Sequence, residues 1–140
     1  MKKLFVLIIA AAFMAMPAFA RIPARVTDAF QSRYAGATNV EWKHGLSKYK
    51  ANFTMGDYRY EAEFDRDGHW KESLKMMDEN RLPRSVRNSL SRSKYGRWQV
   101  RSTYVQYQPN HKPQYHIAAA KGDFKKKHLV FNENGELING

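Results

Sequence analysis

From Lys48 to Phe64 the chain alternates between apolar and polar residues. Tyr49, Ala51 and Phe53 take one side while Lys48, Lys50 and Asn52 take the other; beyond Met55-Gly56-Asp57 the pattern returns as Tyr58, Tyr60, Ala62 and Phe64 against Arg59, Glu61 and Glu63. A period of two puts one set of side chains against a core and the other in water, and a Gly-Asp break between two such runs predicts a hairpin with one apolar face. Ahead of it the period is helical. Val26, Ala29, Phe30 and Tyr34 share a helix face, Pro23 suits a first turn where its missing N–H costs nothing, and Gly36 is placed for a left-handed stop. Further strands are expected from Val40 to Lys43 and around Trp70 to Leu74, completing a helix followed by four strands.

The same pattern is written again. Ile22-Pro23-x-x-Val26-x-x-x-Phe30 recurs 60 residues later as Leu82-Pro83-x-x-Val86-x-x-x-Leu90, Tyr49 answers Tyr115 at an offset of 66, and "FDRDGHW" (Phe64 to Trp70) answers "FNENGEL" (Phe131 to Leu137) at 67. The growing offset is absorbed by a longer connection around "VQYQPNHKPQY" in the second copy. Pro83, Val86, Leu90 and Gly96 therefore repeat the helix signals, and strands are expected from Trp98 to Val105, Tyr115 to Ala120, Phe124 to Phe131 and Glu136 to Asn139. Arg84, Arg87, Asn88 and Arg92 read as the solvated face of the second helix. The expected fold class is α+β: two tandem α-β-β-β-β repeats, residues 21–80 and 81–140, each a helix packed on an antiparallel sheet, joined through Lys75 to Arg81 within one domain.

Residues 1–20 carry a different signal. Lys2 and Lys3 precede an apolar run from Leu4 to Met16, and Pro17 with Ala18-Phe19-Ala20 fits a small-x-small cleavage site, so a secretory signal peptide cut after Ala20 is expected. The run falls short of the roughly 20 apolar residues that span a bilayer, and no transmembrane segment is expected after cleavage. The protein is therefore expected to be exported, periplasmic or secreted. With no cysteine in the chain, packing alone must stabilise it. Cleavage removes Lys2 and Lys3 from 24 basic residues, leaving 22 against 13 acidic and a net charge of +9. Such a charge favours anionic partners. Export argues against nucleic acid, which leaves acidic proteins, anionic lipid or polyanionic glycan.

The segments "AFQSRYAGATNVEW" (29–42), "YKANF" (49–53), "YEAEFDRDGHWKESL" (60–74) and "LPRSV" (82–86) are similar to those of the PepSY-like proteins, which are related in fold to β-lactamase-inhibitor protein. The resemblance spans nearly all of residues 21–140. It implies a small exported protein of two α-plus-sheet repeats and a protein partner, because in the related inhibitor a concave sheet surface grips an enzyme and PepSY-type domains are associated with binding or restraining proteases. It brings no catalytic residues.

Little in the chain points to chemistry. Asp65-x-Asp67-Gly68 resembles the front of a calcium loop, but that register puts Leu74 where a bidentate carboxylate is needed and Lys71 at the ninth position. The second copy has neutral Asn132 and Asn134, so a tight turn explains both better. His116 and His128 could face each other across the Ala120 to Phe124 hairpin, but the sequence shows no third metal ligand. There is no G-x-S-x-G elbow and no Gly-rich phosphate loop; Ser85, Ser89, Ser91 and Ser93 read as a polar helix face. No enzyme, metal or cofactor is expected. Surface aromatics and cations remain. Tyr104 and Tyr107, read at the start of the inserted connection, with His111 beyond them and the Lys125, Lys126, Lys127 run, are the candidate partner-binding residues. Two functions follow: a non-enzymatic protein-binding module that inhibits or regulates an envelope hydrolase or protease, or a basic protein weakly associated with anionic membrane or glycan.

Overall fold

The computed structural model describes residues 21–140; the leader expected at residues 1–20 lies outside them. Helix α1 (Ala24–Arg33) precedes strands β1 (Thr38–His44), β2 (Lys48–Met55), β3 (Tyr58–Asp65) and β4 (Trp70–Met76); a short 3-10 turn (Glu79–Arg81) leads into α2 (Arg84–Arg92) and then β5 (Gln99–Tyr107), β6 (Gln114–Lys121), β7 (Lys125–Phe131) and β8 (Leu137–Asn139). All eight strands form one antiparallel sheet in chain order.

Both helices begin on a proline. Pro23 and Pro83 lack an N–H that would have no partner there, and their carbonyls receive the first helical bonds, Val26 and Thr27 N–H to Pro23 and Arg87 N–H to Pro83. From α1, Val26 and Phe30 pack on Ala51, Phe53, Ala62 and Phe64. Phe30 meets Phe53, Trp42 and Phe64 edge-on at 5.0, 5.3 and 6.3 Å between ring centres. Contacts of this kind are worth about 0.5–1.5 kcal/mol each beyond the area they bury. From α2, Val86 and Leu90 join Leu82 against Ile117, Leu129 and Phe131.

The expectation of a separate sheet for each repeat is corrected, because β4 pairs with β5 through Ser73–Tyr107, Leu74–Gln106, Lys75–Val105 and Met76–Tyr104. This seam also explains why β4 reaches Met76, into the expected connector, and why β5 continues to Tyr107. Across it runs a row of register partners, Ala51, Ala62, Ser73 and Tyr107, and beside that row another of Val105, Tyr115 and Phe131. Residues two apart in a strand share a face, so both cores and both helices lie on the same side of the sheet. Among the described residues, no helix lies on the opposite face.

A bulge decides what reaches that open face. Phe64 pairs with Trp70 but Glu63 pairs with Glu72, leaving Lys71 unmatched. The extra residue reverses the parity of β4. Trp70 and Ser73 consequently both face the helices, where Ser73 is fully buried, accepting the Trp70 indole N–H at 2.8 Å and bonding the Tyr34 hydroxyl, while Leu74 and Met76 turn outward.

The glycines behave differently from the expectation at the helix ends. Gly36 and Gly96 are not in the left-handed region; the positive-φ glycines are Gly56, Gly68, Gly122 and Gly135. The N–H of Tyr34 bonds back to Phe30 and that of Ser93 to Leu90 and Ser89, so both helices close without a glycine stop. Gly68 and Gly135 carry a double demand. Their φ values are +87° and +82°, and a Cβ would lie 2.5 Å from the Arg25 carbonyl oxygen at Gly68 and 2.4 Å from that of Ser85 at Gly135. Each strand turn is thus pressed onto the first turn of a helix.

Gly68→Ala and Gly135→Ala should each destabilise the fold by roughly 2 kcal/mol or more, since conformational cost and collision add, whereas Gly56→Ala and Gly122→Ala, in open space, should cost only about 1–2 kcal/mol. Urea denaturation of the four variants checks this; equal losses at all four would disprove the packing role.

Candidate functional site

At the centre of the open face four strands contribute to one chain of polar groups. The Glu72 carboxylate (β4) accepts from the Gln106 amide (β5) at 2.8 Å, Gln106 Oε1 accepts from His116 Nε2 (β6) at 2.7 Å, and His116 Nδ1 lies 2.8 Å from His128 Nε2 (β7). A carboxylate only accepts, so it orients the amide, and the amide oxygen then requires the proton on His116 Nε2. His116 Nδ1 is left as an acceptor for the His128 Nε2–H. The direction of the whole chain follows from Glu72.

Tyr104 lies over this chain. Its ring stacks on His116 at 4.6 Å and 9° between planes. Burial raises the Tyr104 hydroxyl above the usual tyrosine range, with the Glu72 charge adding to the effect. Burial also lowers His116 from the usual 6.5 to about 4, helped by His128 and opposed by Glu72. His116 is therefore a neutral, fixed hydrogen-bonding group near neutral pH. Leu74 and the exposed Met76 flank the cluster as its apolar border.

The ion pairs of this face lie on its first half. There Lys48 pairs with Glu63 at 3.7 Å, Lys50 with Glu61 and Glu63 at 3.8 and 3.9 Å, and Lys71 with Asp65 at 3.7 Å. On the second, Arg101 and Lys126 have no ion-pair partner among the described residues. Lys121, Lys125 and Lys127 alternate to the helix side of the same hairpin, where Lys121 and Lys125 stand directly opposite each other, a like-charge placement that disfavours the pairing.

The expected binding residues fall into three places. Tyr104 is mid-strand on the open face, not at a loop start. Tyr107 is three residues on and faces the helices, in a cleft with Arg33, Tyr34, Trp70 and His111; burial raises its hydroxyl too, with Tyr115 the next contributor. Lys125, Lys126 and Lys127 lie at the far hairpin. Alternation was the signal for Tyr104, whereas Glu72, Gln106 and Arg101 were missed because each depends on the seam or on a bulge.

Asp65, Asp67 and His69 form a trio whose ligand atoms lie within 4.8 Å of one another. Their atoms are already engaged: Asp65 Oδ1 accepts the N–H groups of Asp67 and His69 at 2.9 and 3.0 Å, Oδ2 meets the His69 ring and Lys71, and Asp67 pairs with Arg25 at 3.4 Å. The backbone N–H of His69 is the main reason Asp65 titrates below the usual carboxylate range. Asn132 repeats the geometry without charge, accepting the N–H groups of Asn134 and Glu136 at 2.9 and 3.0 Å. What both turns need is an oxygen acceptor.

Residues 47–139 match a family model described as beta-lactamase-inhibitor-like, PepSY-like. The chain belongs to the PepSY-like family. Membership suggests a non-catalytic protein. A solved BLIP-like protein from Bacteroides fragilis is similar at 25% identity and TM-score 0.80, covering 85% of this chain and 84% of that one. A DUF2874 family protein from Bacteroides ovatus has the same fold at 24% identity and TM-score 0.81, covering 85% and 86%. No curated protein matches the chain. The PepSY-like match covers the whole open-face cluster but leaves α1 and β1 outside it.

The depressed His116 predicts an acid sensitivity. Falling pH protonates the unfolded chain at this residue near 6.5 but the folded chain only near 4, so stability is lost progressively between those values and is fully present above them. Replacing His116 with Gln should therefore reduce the fall in melting temperature between pH 7 and 4.5, measured by circular dichroism. Equal falls in both proteins would show that the histidine chain is not coupled to folding.

Proposed function

We propose that this PepSY-like protein is an exported, non-enzymatic binding module that engages another protein through the helix-free face of its sheet, as an inhibitor or regulator of an envelope hydrolase or protease. The observation that carries this reading is the cluster of half-buried Tyr104 and His116 with exposed His128, rigid through stacking and hydrogen bonding, bordered by Leu74 and Met76, and covered by none of the described elements. An aromatic group already held in one rotamer loses little entropy on binding. The BLIP-like description of the Bacteroides fragilis neighbour supports a role in protein–protein interaction. Export is supported by the leader pattern and by the provisional periplasmic description of a similarly folded Bacteroides eggerthii protein. No described helix is long and apolar enough to cross a membrane.

The same reading includes an internal duplication. Each half is a helix followed by four strands, and the equivalent turns at Asp65 and Asn132 share their hydrogen bonds and their contact with a helix start. The competing function is adhesion to anionic lipid or glycan, which the unpaired lysines of the β6–β7 hairpin favour.

Capture from an envelope extract separates these readings. Tyr104→Ala should reduce the captured partner by about tenfold, the loss expected for a central aromatic anchor, while Tyr107→Ala, on the other face, should leave it unchanged. Capture should also survive a rise from about 0.05 to 0.5 M salt, which screens charge-driven adhesion. Equal capture by wild type and Tyr104→Ala, or its collapse in salt, would defeat the proposal.

A further inference from the structure

Beside the histidine chain the open face sinks into a trough of about 620 Å³. Ala118 and Ala120 form its floor, and Arg101, Lys126 and His128 stand around it, with the Gly122-Asp123 turn at one end. Register accounts for the shape. Ala120 pairs with Lys126 and Ala118 with His128, so small residues on β6 lie between long cationic ones, and the bulge between Val100 and Ser102 brings Arg101 to the same side. Just past Asp123, Phe124 is 98% exposed.

Edge protection accounts for part of this. Beyond Val130 and Phe131, β7 has no partner on its outer side, and lysines on an open edge discourage strand addition. It does not explain Phe124, an exposed apolar ring at the same hairpin, or Arg101, which lies on an interior strand. It also leaves Arg101 and Lys126 unexplained as two cations on one face with no ion-pair partner among the described residues and only Asp123 beside the trough.

We propose that the trough binds an acidic segment of a protein partner, with a carboxylate between Arg101 and Lys126 and an adjacent apolar side chain against Phe124. The inference rests on the protein-binding reading of the open face and names the chemistry of the partner. Charge complementarity selects the occupant. Arginine can receive a carboxylate with two parallel N–H bonds, and lysine supplies a second cation across the alanine floor.

The test uses residues Arg21 to Gly140, the chain expected after removal of the leader, and a fluorescently labelled, acetylated and amidated Glu-Glu-Leu-Glu-Glu-Leu peptide, followed by anisotropy. Saturable binding is expected, weakened by about tenfold in the Arg101→Gln/Lys126→Gln double variant through loss of two charged contacts. Lys48→Gln/Lys71→Gln lowers net charge equally but at two ion-paired lysines away from the trough, and should change binding by less than about twofold. Thermal melts confirm that both variants fold. Equal weakening in the two variants would reduce the effect to diffuse electrostatics and overturn the proposal, as would absence of peptide binding or preference for phosphatidylglycerol vesicles over the peptide. If the peptide fails while capture still depends on Tyr104, the acidic occupant is wrong and the binding face stands.

Discussion

Four residue pairs hold the architecture together. The seam from Ser73–Tyr107 to Met76–Tyr104 turns two four-stranded units into one sheet, and it is reinforced where Met77 and Thr103 exchange bonds, the Met77 N–H donating to the Thr103 carbonyl and the Thr103 hydroxyl to the Met77 carbonyl. Because strand parity continues across it, both cores must lie on one side. Without the seam neither the open face nor the Glu72–Gln106–His116–His128 chain would exist, since that chain takes one residue from each of four strands spanning the join.

The division of labour between the faces follows from ordinary energetics. On the helix side, aromatic rings around Phe30 and aliphatic side chains around Leu82 and Ile117 remove apolar surface from water, worth roughly 1.5–3 kcal/mol for each large side chain fully buried. The other face needs no such burial. It can carry charges, and its ion pairs lie on the first half, around Glu61, Glu63 and Asp65, whereas Arg101 and Lys126 on the second have none among the described residues. A surface with uncompensated cations and a fixed aromatic cluster is suited to recognition, because unpaired cations retain their attraction for an anionic partner and a stacked ring has little rotational freedom left to lose.

Much of this could be read locally. The helix face of Val26, Phe30 and Tyr34 and the inward set of Ala51, Phe53, Ala62 and Phe64 follow from their periods, and the turn at Asp65-Arg66-Asp67-Gly68 follows from side-chain acceptors and a left-handed glycine. The failures were at interruptions of period. Gly36 and Gly96 looked like helix stops, but backbone bonds close both helices first. Tyr104 and Tyr107 looked like neighbours on a loop, yet β5 carries them to opposite faces because they are three residues apart in an extended strand.

The sequence by itself determined the class of elements, their order and which turn residues could not change, for these depend on interactions within a few positions along the chain. Only the tertiary structure decided that the sheets are one, that the bulge at Lys71 sends Leu74 and Met76 outward, and that two histidines twelve positions apart complete a chain beginning at Glu72. The reason is physical. A single unmatched residue inverts the facing of everything beyond it, and pairing between distant strands is settled by the packing of the whole sheet, which no local pattern records.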